Sequence, residues 1–201
     1  MTVSISVTCG QWVFIVAQRT LGIEVSAELR KPDSNAHQWM KAMEDTTSFL
    51  GAVVSVINPA VYETGLRFIE AIDRDPQLVM KRENLHNLLA CWTSPYSSAS
   101  LMSNRDSPLH RDRSGDFSTM DLLLSVGHYT NGRFHVPSLG YDFMYTSGTV
   151  IGVVGRVLQH GATASGERVC YAQWNKRNVL ASLNLPATEW VSVDNLVTLC
   201  N

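Results

Sequence analysis

His110 and Asp112 form an H-x-D pair, and His160 stands 48 residues beyond Asp112, just after the run Thr149 to Leu158. Two imidazoles and one carboxylate on a rigid sheet would make the facial triad of a non-haem ferrous site, leaving three coordination positions for a bidentate cosubstrate and dioxygen. Arg168 lies eight residues after His160. If His160 ends one strand and Arg168 begins the next, both side chains point into one barrel mouth, with the small residues Gly161, Ala162 and Gly166 allowing a tight connection. A guanidinium there would grip a dicarboxylate through two parallel hydrogen bonds, a geometry that lysine cannot match. Singly, His160 could cap a strand and Arg168 could be a solvated edge charge; their order and spacing together favour the joint reading.

Such a group needs a sheet to hold it. Trp39, Met43, Leu50, Val54 and Ile57 recur at three, four or seven, which predicts an amphipathic helix from Ser34 to Ile57 with a break at Gly51. Asn58 and Pro59 read as the N-cap and first residue of a second helix, whose Leu66, Ile69 and Ile72 share a face before Asp73 to Pro76 ends it. A shorter helix is expected over Asn84 to Trp92, then a polar loop from Thr93 to Pro108. Val3 to Ala17 is apolar but interrupted by Thr8, Gln11 and Trp12, and is too short to span a membrane; it reads as a buried strand. After residue 117, strand-type runs follow: Asp121 to Tyr129, Arg133 to Val136, Tyr141 to Tyr145, Thr149 to Val154, Arg168 to Trp174 and Val179 to Leu183. Asn131-Gly132, Gly140, Ser147-Gly148 and Gly161 separate them. Helices first and strands after means α+β, with helices packed on an antiparallel sheet or barrel. There is no βαβ alternation and no glycine-rich phosphate loop.

At 201 residues the chain suits one domain, with about residues 1–92 as helical support and about 93–201 as the core carrying the triad. With 45% hydrophobic and 17% charged residues, disordered and fibrous architectures are excluded. A net charge of −2 means no global field draws in a polyanion. The distribution is uneven, however: residues 105 to 177 hold eight Lys/Arg against six acids, and the rest eight against twelve. Arg111, Arg113, Lys176 and Arg177 flank the triad and would suit phosphates, although each alone could be ordinary solvated charge. Cys9, Cys91, Cys170 and Cys200 lie far apart with no CxxC pair, which suggests reduced thiols in an intracellular protein.

The stretches SNRDSPLHRDRSGDFSTMDLLLSVGHY, SGTVIGVVGRVLQHG and GERVCYAQWNKRNV resemble the 2-oxoglutarate/Fe(II) dioxygenases of the TET/JBP group, especially its compact transposon-associated fungal members. The likeness covers about residues 103 to 179. It implies a double-stranded β-helix, or jelly roll, flanked by N-terminal helices. It also implies oxidation of methyl groups on DNA bases, chiefly 5-methylcytosine to 5-hydroxymethylcytosine and further oxidised forms, with N6-methyladenine demethylation in some members. By the same resemblance His110, Asp112 and His160 would ligate Fe(II), Arg168 would anchor the distal carboxylate of 2-oxoglutarate, and Arg105 would be a second arginine near that cosubstrate. Cys170 stands where the group often has Ser, and a thiol donates more weakly than a hydroxyl.

The implied partner is methylated double-stranded DNA, with a nuclear location and neither a membrane nor an obligate protein partner. A base inside a duplex must be flipped out to reach the iron, stacked on an aromatic ring and read along its edge. Trp174, six after Arg168, would face the same side of its strand and stack the base; its other reading is a packing Trp. Asp116, four after Asp112, could accept an exocyclic amino group or simply cap a loop. Lys176 and Arg113 would contact the phosphate backbone. His128 and His135 read as structural. Two other functions fit the chain less well: a hydroxylase of proteins or small molecules, and a silent nucleic-acid-binding jelly roll, against which the intact ligands argue.

Overall fold

Ser34 accepts a hydrogen bond from the His37 N–H at 3.2 Å and so starts α1, Asn35–Ala42. The computed structural model of the protein describes residues 10–13, 15–18, 22–32, 34–113, 115–185 and 188. The long helix expected from Ser34 breaks at Met43 rather than at Gly51, because Met43 leaves helical geometry and the acidic pair Glu44 and Asp45 suits a new N-terminus. Gly51 lies buried inside this second helix, α2, Glu44–Ile57. Asn58 caps α3, Pro59–Arg74, through a 3.2 Å bond from the Val61 N–H, with Pro59 at its first turn as expected. The fourth helix, α4, is shorter than its sequence pattern, Leu85–Leu89. Among the described residues no helix is long and apolar enough to cross a membrane.

Among the described residues ten strands follow in chain order: β1 Gly10–Val13, β2 Ile15–Gln18, β3 Gly22–Val25, β4 Val79–Met80, β5 Ser98–Ser103, β6 Ser107–His110, β7 Asp121–Val136, β8 Tyr141–Met144, β9 Thr149–Val153 and β10 His160–Trp174. The main sheet runs β1-β5-β10-β7-β8, with β6 added to β10 and β9 to β7, every pairing antiparallel. The strands β2, β3 and β4 form a second, smaller sheet. The apolar N-terminal run is thus strand where it is described; Thr8, Cys9 and Cys200 lie outside the described residues.

Three expectations are corrected. The polar stretch from Thr93 to Pro108 is loop only in part: Ser98–Ser103 is strand, because β5 is held between β1 and β10 and its backbone groups bond to both neighbours, which outweighs the low strand preference of serine, and β6 begins at Ser107. Val179 to Leu183 is helical: α5, Arg177–Ser182, buries Val179 and Leu180 and half-buries Leu183, a helical spacing. Neither Asn131-Gly132 nor Gly161 separates two strands, since β7 and β10 each run unbroken past them.

Asn131-Gly132 instead forms a bulge. Between the pairs Thr163↔Arg133 and Ser165↔Thr130, β7 spends one residue more than β10, and Asn131 takes a φ of 54°. Gly132 is required there, because a Cβ would fall 2.1 Å from the Tyr145 carbonyl oxygen. The extra residue reverses which residues of β7 face inward, so Phe134 on one side and Asp121 and Leu123 on the other reach a single cavity. On β10, His160, Ala162, Arg168, Cys170, Ala172 and Trp174 face that cavity. Tyr171 points the other way and meets Trp39 of α1 edge-on at 5.1 Å, in a core built from Leu50, Val54, Val61, Phe68, Ile72 and Leu88.

Candidate active site

His110, at the end of β6, pairs in register with His160, the first residue of β10, and their ring centres lie 4.4 Å apart. Asp112 lies two residues past the end of the strand, held by a 2.9 Å bond from its N–H to the Gly155 carbonyl. Its Oδ1 lies 3.4 Å from His110 Nε2 and its Oδ2 3.7 Å from His160 Nε2; the three ligand atoms fall within 4.8 Å of one another. The other ring nitrogens are engaged with carbonyls: His110 Nδ1 with Pro108 at 2.8 Å and His160 Nδ1 with Leu158 at 3.0 Å. A carbonyl only accepts, so each Nδ1 carries its proton and each Nε2 presents a lone pair to the common centre. Two imidazoles and one carboxylate so disposed fit a ferrous ion.

Arg168 is buried, 6% exposed, and lines the same cavity. Asn104 clamps its backbone, accepting from the Arg168 N–H at 2.8 Å and donating to the Arg168 carbonyl at 2.7 Å. Its Nε donates to Ser125 Oγ at 2.9 Å, its Nη1 to the Arg105 carbonyl at 3.4 Å, and its guanidinium lies 4.8 Å from the centre of the Tyr145 ring. A guanidinium has five N–H donors, so these contacts aim it without exhausting it, and a carboxylate can take the remainder. A straight strand would hold His160 and Arg168 about 26 Å apart. They share one cavity because the β7–β10 ribbon bends at the bulge, not because a turn divides them as the spacing suggested. The cavity encloses about 180 Å³, the liquid volume of roughly six waters and enough for a small organic acid.

The chain matches the model of the Tet_JBP family, the oxygenase domain of the 2OGFeDO superfamily, over residues 23–183. It belongs to the Tet/JBP oxygenase family. The protein is therefore a 2-oxoglutarate/Fe(II)-dependent dioxygenase that uses iron, 2-oxoglutarate and dioxygen. In fold it is similar to the solved structure of NgTET1 in complex with 5mC DNA, with a TM-score of 0.60 and 14% identity over 96% of this chain and 68% of that one. That likeness makes the main sheet a jelly roll of the TET type. A cupin 2 conserved barrel protein of Salinispora arenicola CNS-205 matches with a TM-score of 0.31 and 9% identity over 43% of this chain and 70% of its own. Ectoine synthase from P. lautus matches with 0.29 and 14% over 48% and 67%. No curated protein matches the chain in sequence.

Around the Tet/JBP triad the remaining residues divide. Arg105 and Trp174 line the cavity, the tryptophan half-buried, and Cys170 lines it fully buried. Burial pushes the Cys170 thiol up, against the pull of Arg168, and its Sγ lies 3.8 Å from the Tyr145 hydroxyl. Asp116 is not on the cavity wall: its Oδ1 accepts from the Ser118 N–H and hydroxyl at 2.9 and 2.8 Å, and its Oδ2 faces Arg177 at 3.8 Å, the pattern of a carboxylate closing a turn. Arg113 is exposed and its carbonyl accepts from Arg156. Lys176 is half-buried, which lowers its ammonium, and its backbone bridges to Gly115 on the cavity wall. His135 is structural, held between Asp142 at 2.6 Å and Thr163 at 3.1 Å, and His128 is exposed.

Sequence reasoning missed Ser125, Tyr145, Asn104 and Asp121. Ser125 and Asp121 carry a faint signal, as polar residues in the apolar run DLLLSV, and Asn104 stands beside Arg105 in the stretch SNRDSPLHRDRSG without a role assigned to it; Tyr145 carries none. Asp121 is buried on the cavity wall. Desolvation, and then the charge of Asp112, push its carboxyl well above the usual carboxylate range, while the Gly155 N–H pulls it down. Gly155 separates the two acids: a Cβ there would lie 2.1 Å from Asp112 Oδ2 and 2.9 Å from Asp121 Oδ2.

Proposed function

We propose that this dioxygenase oxidises methyl groups on DNA bases, converting 5-methylcytosine to 5-hydroxymethylcytosine and further oxidised forms, with N6-methyladenine as a second substrate. The observation that carries the reading is Trp174: an aromatic ring, half-buried, on the wall of the cavity that holds the triad and on the same face of β10 as Arg168. A flipped base needs such a platform beside the oxidising centre. The relative solved with 5mC DNA supports the choice of substrate.

In this reading His110, Asp112 and His160 hold the iron, and Arg168, aimed by Ser125 and Tyr145, takes the distal carboxylate of 2-oxoglutarate with Arg105 at the rim. Ferrous iron, when bound, supplies the oxidation: one oxygen atom of dioxygen goes to succinate, formed with carbon dioxide from 2-oxoglutarate, and the other into a substrate C–H bond. Trp174 stacks the base and keeps water from it. A hydroxylated C5-methyl is stable and can be oxidised again, whereas a hydroxylated N-methyl leaves as formaldehyde. Arg113 and Lys176, with Arg111 and Arg177, contact the phosphates, so binding weakens with salt. DNA as substrate also favours a nuclear location.

The test is nucleoside mass spectrometry of duplexes carrying 5-methylcytosine or N6-methyladenine, incubated with Fe(II), 2-oxoglutarate and air. 5-Hydroxymethylcytosine should form together with succinate. Asp112→Ala should reduce it by about a thousandfold or more, several kcal/mol of barrier, and should abolish the anaerobic Fe(II)/2-oxoglutarate absorption band. Unmodified duplexes, with succinate released only in the presence of peptides or small molecules, would refute the proposal. An absent band in the wild type would mark a silent module.

A further inference from the structure

Asp121 is a buried acid that the chemistry described above does not use. The β7–β10 ladder runs as far as Leu122↔Gln173, so Asp121 and Trp174 come next on their two strands with side chains on one face, and both line the cavity. Among the described residues the wall carries two carboxylates. One, Asp112, belongs to the triad; the other is Asp121, 6% exposed, which accepts a hydrogen bond from the Gly155 N–H. A carboxyl group has acceptor capacity for more than one donor, and buried acceptor capacity left empty is costly. Asp116, which the sequence offered for reading an amino group, is spent on Ser118 and Arg177 away from the wall.

We infer that Asp121 accepts the exocyclic 4-amino group of the base stacked on Trp174, making these two residues the element of the cavity that specifies cytosine. The inference rests on the DNA-base reading above. Cytosine presents an amino donor at that edge, which a carboxyl oxygen accepts in either protonation state, whereas thymine presents the O4 acceptor and offers that oxygen no donor. N6-methyladenine retains one N–H at its amino nitrogen and meets the same requirement.

The experiment compares three duplexes that differ at one base, 5-methylcytosine, 5-methyl-2-pyrimidinone and thymine, as substrates for the wild-type enzyme and for Asp121→Asn. Removing the 4-amino group should lower kcat/KM of the wild type about ten- to hundredfold, the usual worth of a buried hydrogen bond to a charged or strongly polar group. Thymine should fare no better. In Asp121→Asn, whose amide also donates, the preference for 5-methylcytosine over thymine should shrink at least about tenfold. The wild-type arm stands even if the variant does not fold. Equal rates on 5-methylcytosine and 5-methyl-2-pyrimidinone would overturn the inference, as would an Asp121→Asn variant that loses the same factor on every duplex. A wild type that leaves all three duplexes intact would overturn the DNA-base reading, and this inference with it.

Discussion

The two faces of β10 do opposite work within seven residues. Arg168, Cys170, Ala172 and Trp174 line the cavity, while Val169 and Tyr171 pack on the helical core, Tyr171 against Trp39. The cavity face carries a buried guanidinium, a thiol and a half-exposed indole, groups that are costly or indifferent for stability. The helix face carries apolar bulk that stabilises the fold and touches no reacting group. Because side chains alternate along a strand, one segment can be both the wall of a reaction vessel and the lid of a core, and substitutions one residue apart should report on different properties.

The largest effect expected is on the helix face. Tyr171→Ala should cost about 3–5 kcal/mol of stability by leaving a cavity against Trp39, read as a lowered urea midpoint, while the folded fraction keeps its affinity for 2-oxoglutarate. A loss of affinity would show that the faces are coupled. The hydroxyl of the same residue gives the next test. Burial raises it from 10.0 to about 12, so the folded state favours the neutral phenol. The associated stabilisation is complete below pH 10 and lost as pH climbs toward 12, about 3 kcal/mol in all; Tyr171→Phe should flatten that alkaline decline in urea titrations at pH 9 and pH 11.

On the cavity face, Arg168→Lys should weaken 2-oxoglutarate binding about ten- to hundredfold, because an ammonium cannot reproduce the two parallel bonds or the fixed plane of a guanidinium; calorimetry on the Fe(II)-loaded enzyme under anaerobic conditions measures it. The smallest effect belongs to Ser125→Ala, one strand away. Loss of the 2.9 Å contact to Arg168 Nε should cost about 1 kcal/mol in cosubstrate affinity. A Ser125→Ala effect as large as that of Arg168→Lys would mean that aiming the arginine, rather than its charge, dominates.

How much of this was legible beforehand follows from the range of each interaction. The H-x-D pair, the distal His160 and Arg168 could be offered as one group because residue type and order are properties of the chain, and the structure brings all four to one cavity; Asn58-Pro59 was readable because a cap is satisfied within three residues. The strands hidden in Thr93 to Pro108 were not, since the partners of β5 are β1 and β10, far away in the chain. Asn131-Gly132 read as a boundary because the same dipeptide serves a hairpin or a bulge, and only the opposing strand decides which. Asp116 and Asp121 could not be ranked from sequence, because nothing local tells a carboxylate spent on Ser118 from one left with capacity on a cavity wall.

By itself, then, the amino-acid order determined the residue types of the candidate iron triad, the presence of an arginine after it and the α+β class, which depend on residue identity and local pattern. Tertiary structure alone decided that His160 and Arg168 share one bent strand, that Ser125 and Tyr145 aim the guanidinium, and that Asp121 rather than Asp116 joins Trp174. Those arrangements arise from strand register and a single bulge, which set the face each side chain occupies through partners dozens of residues away.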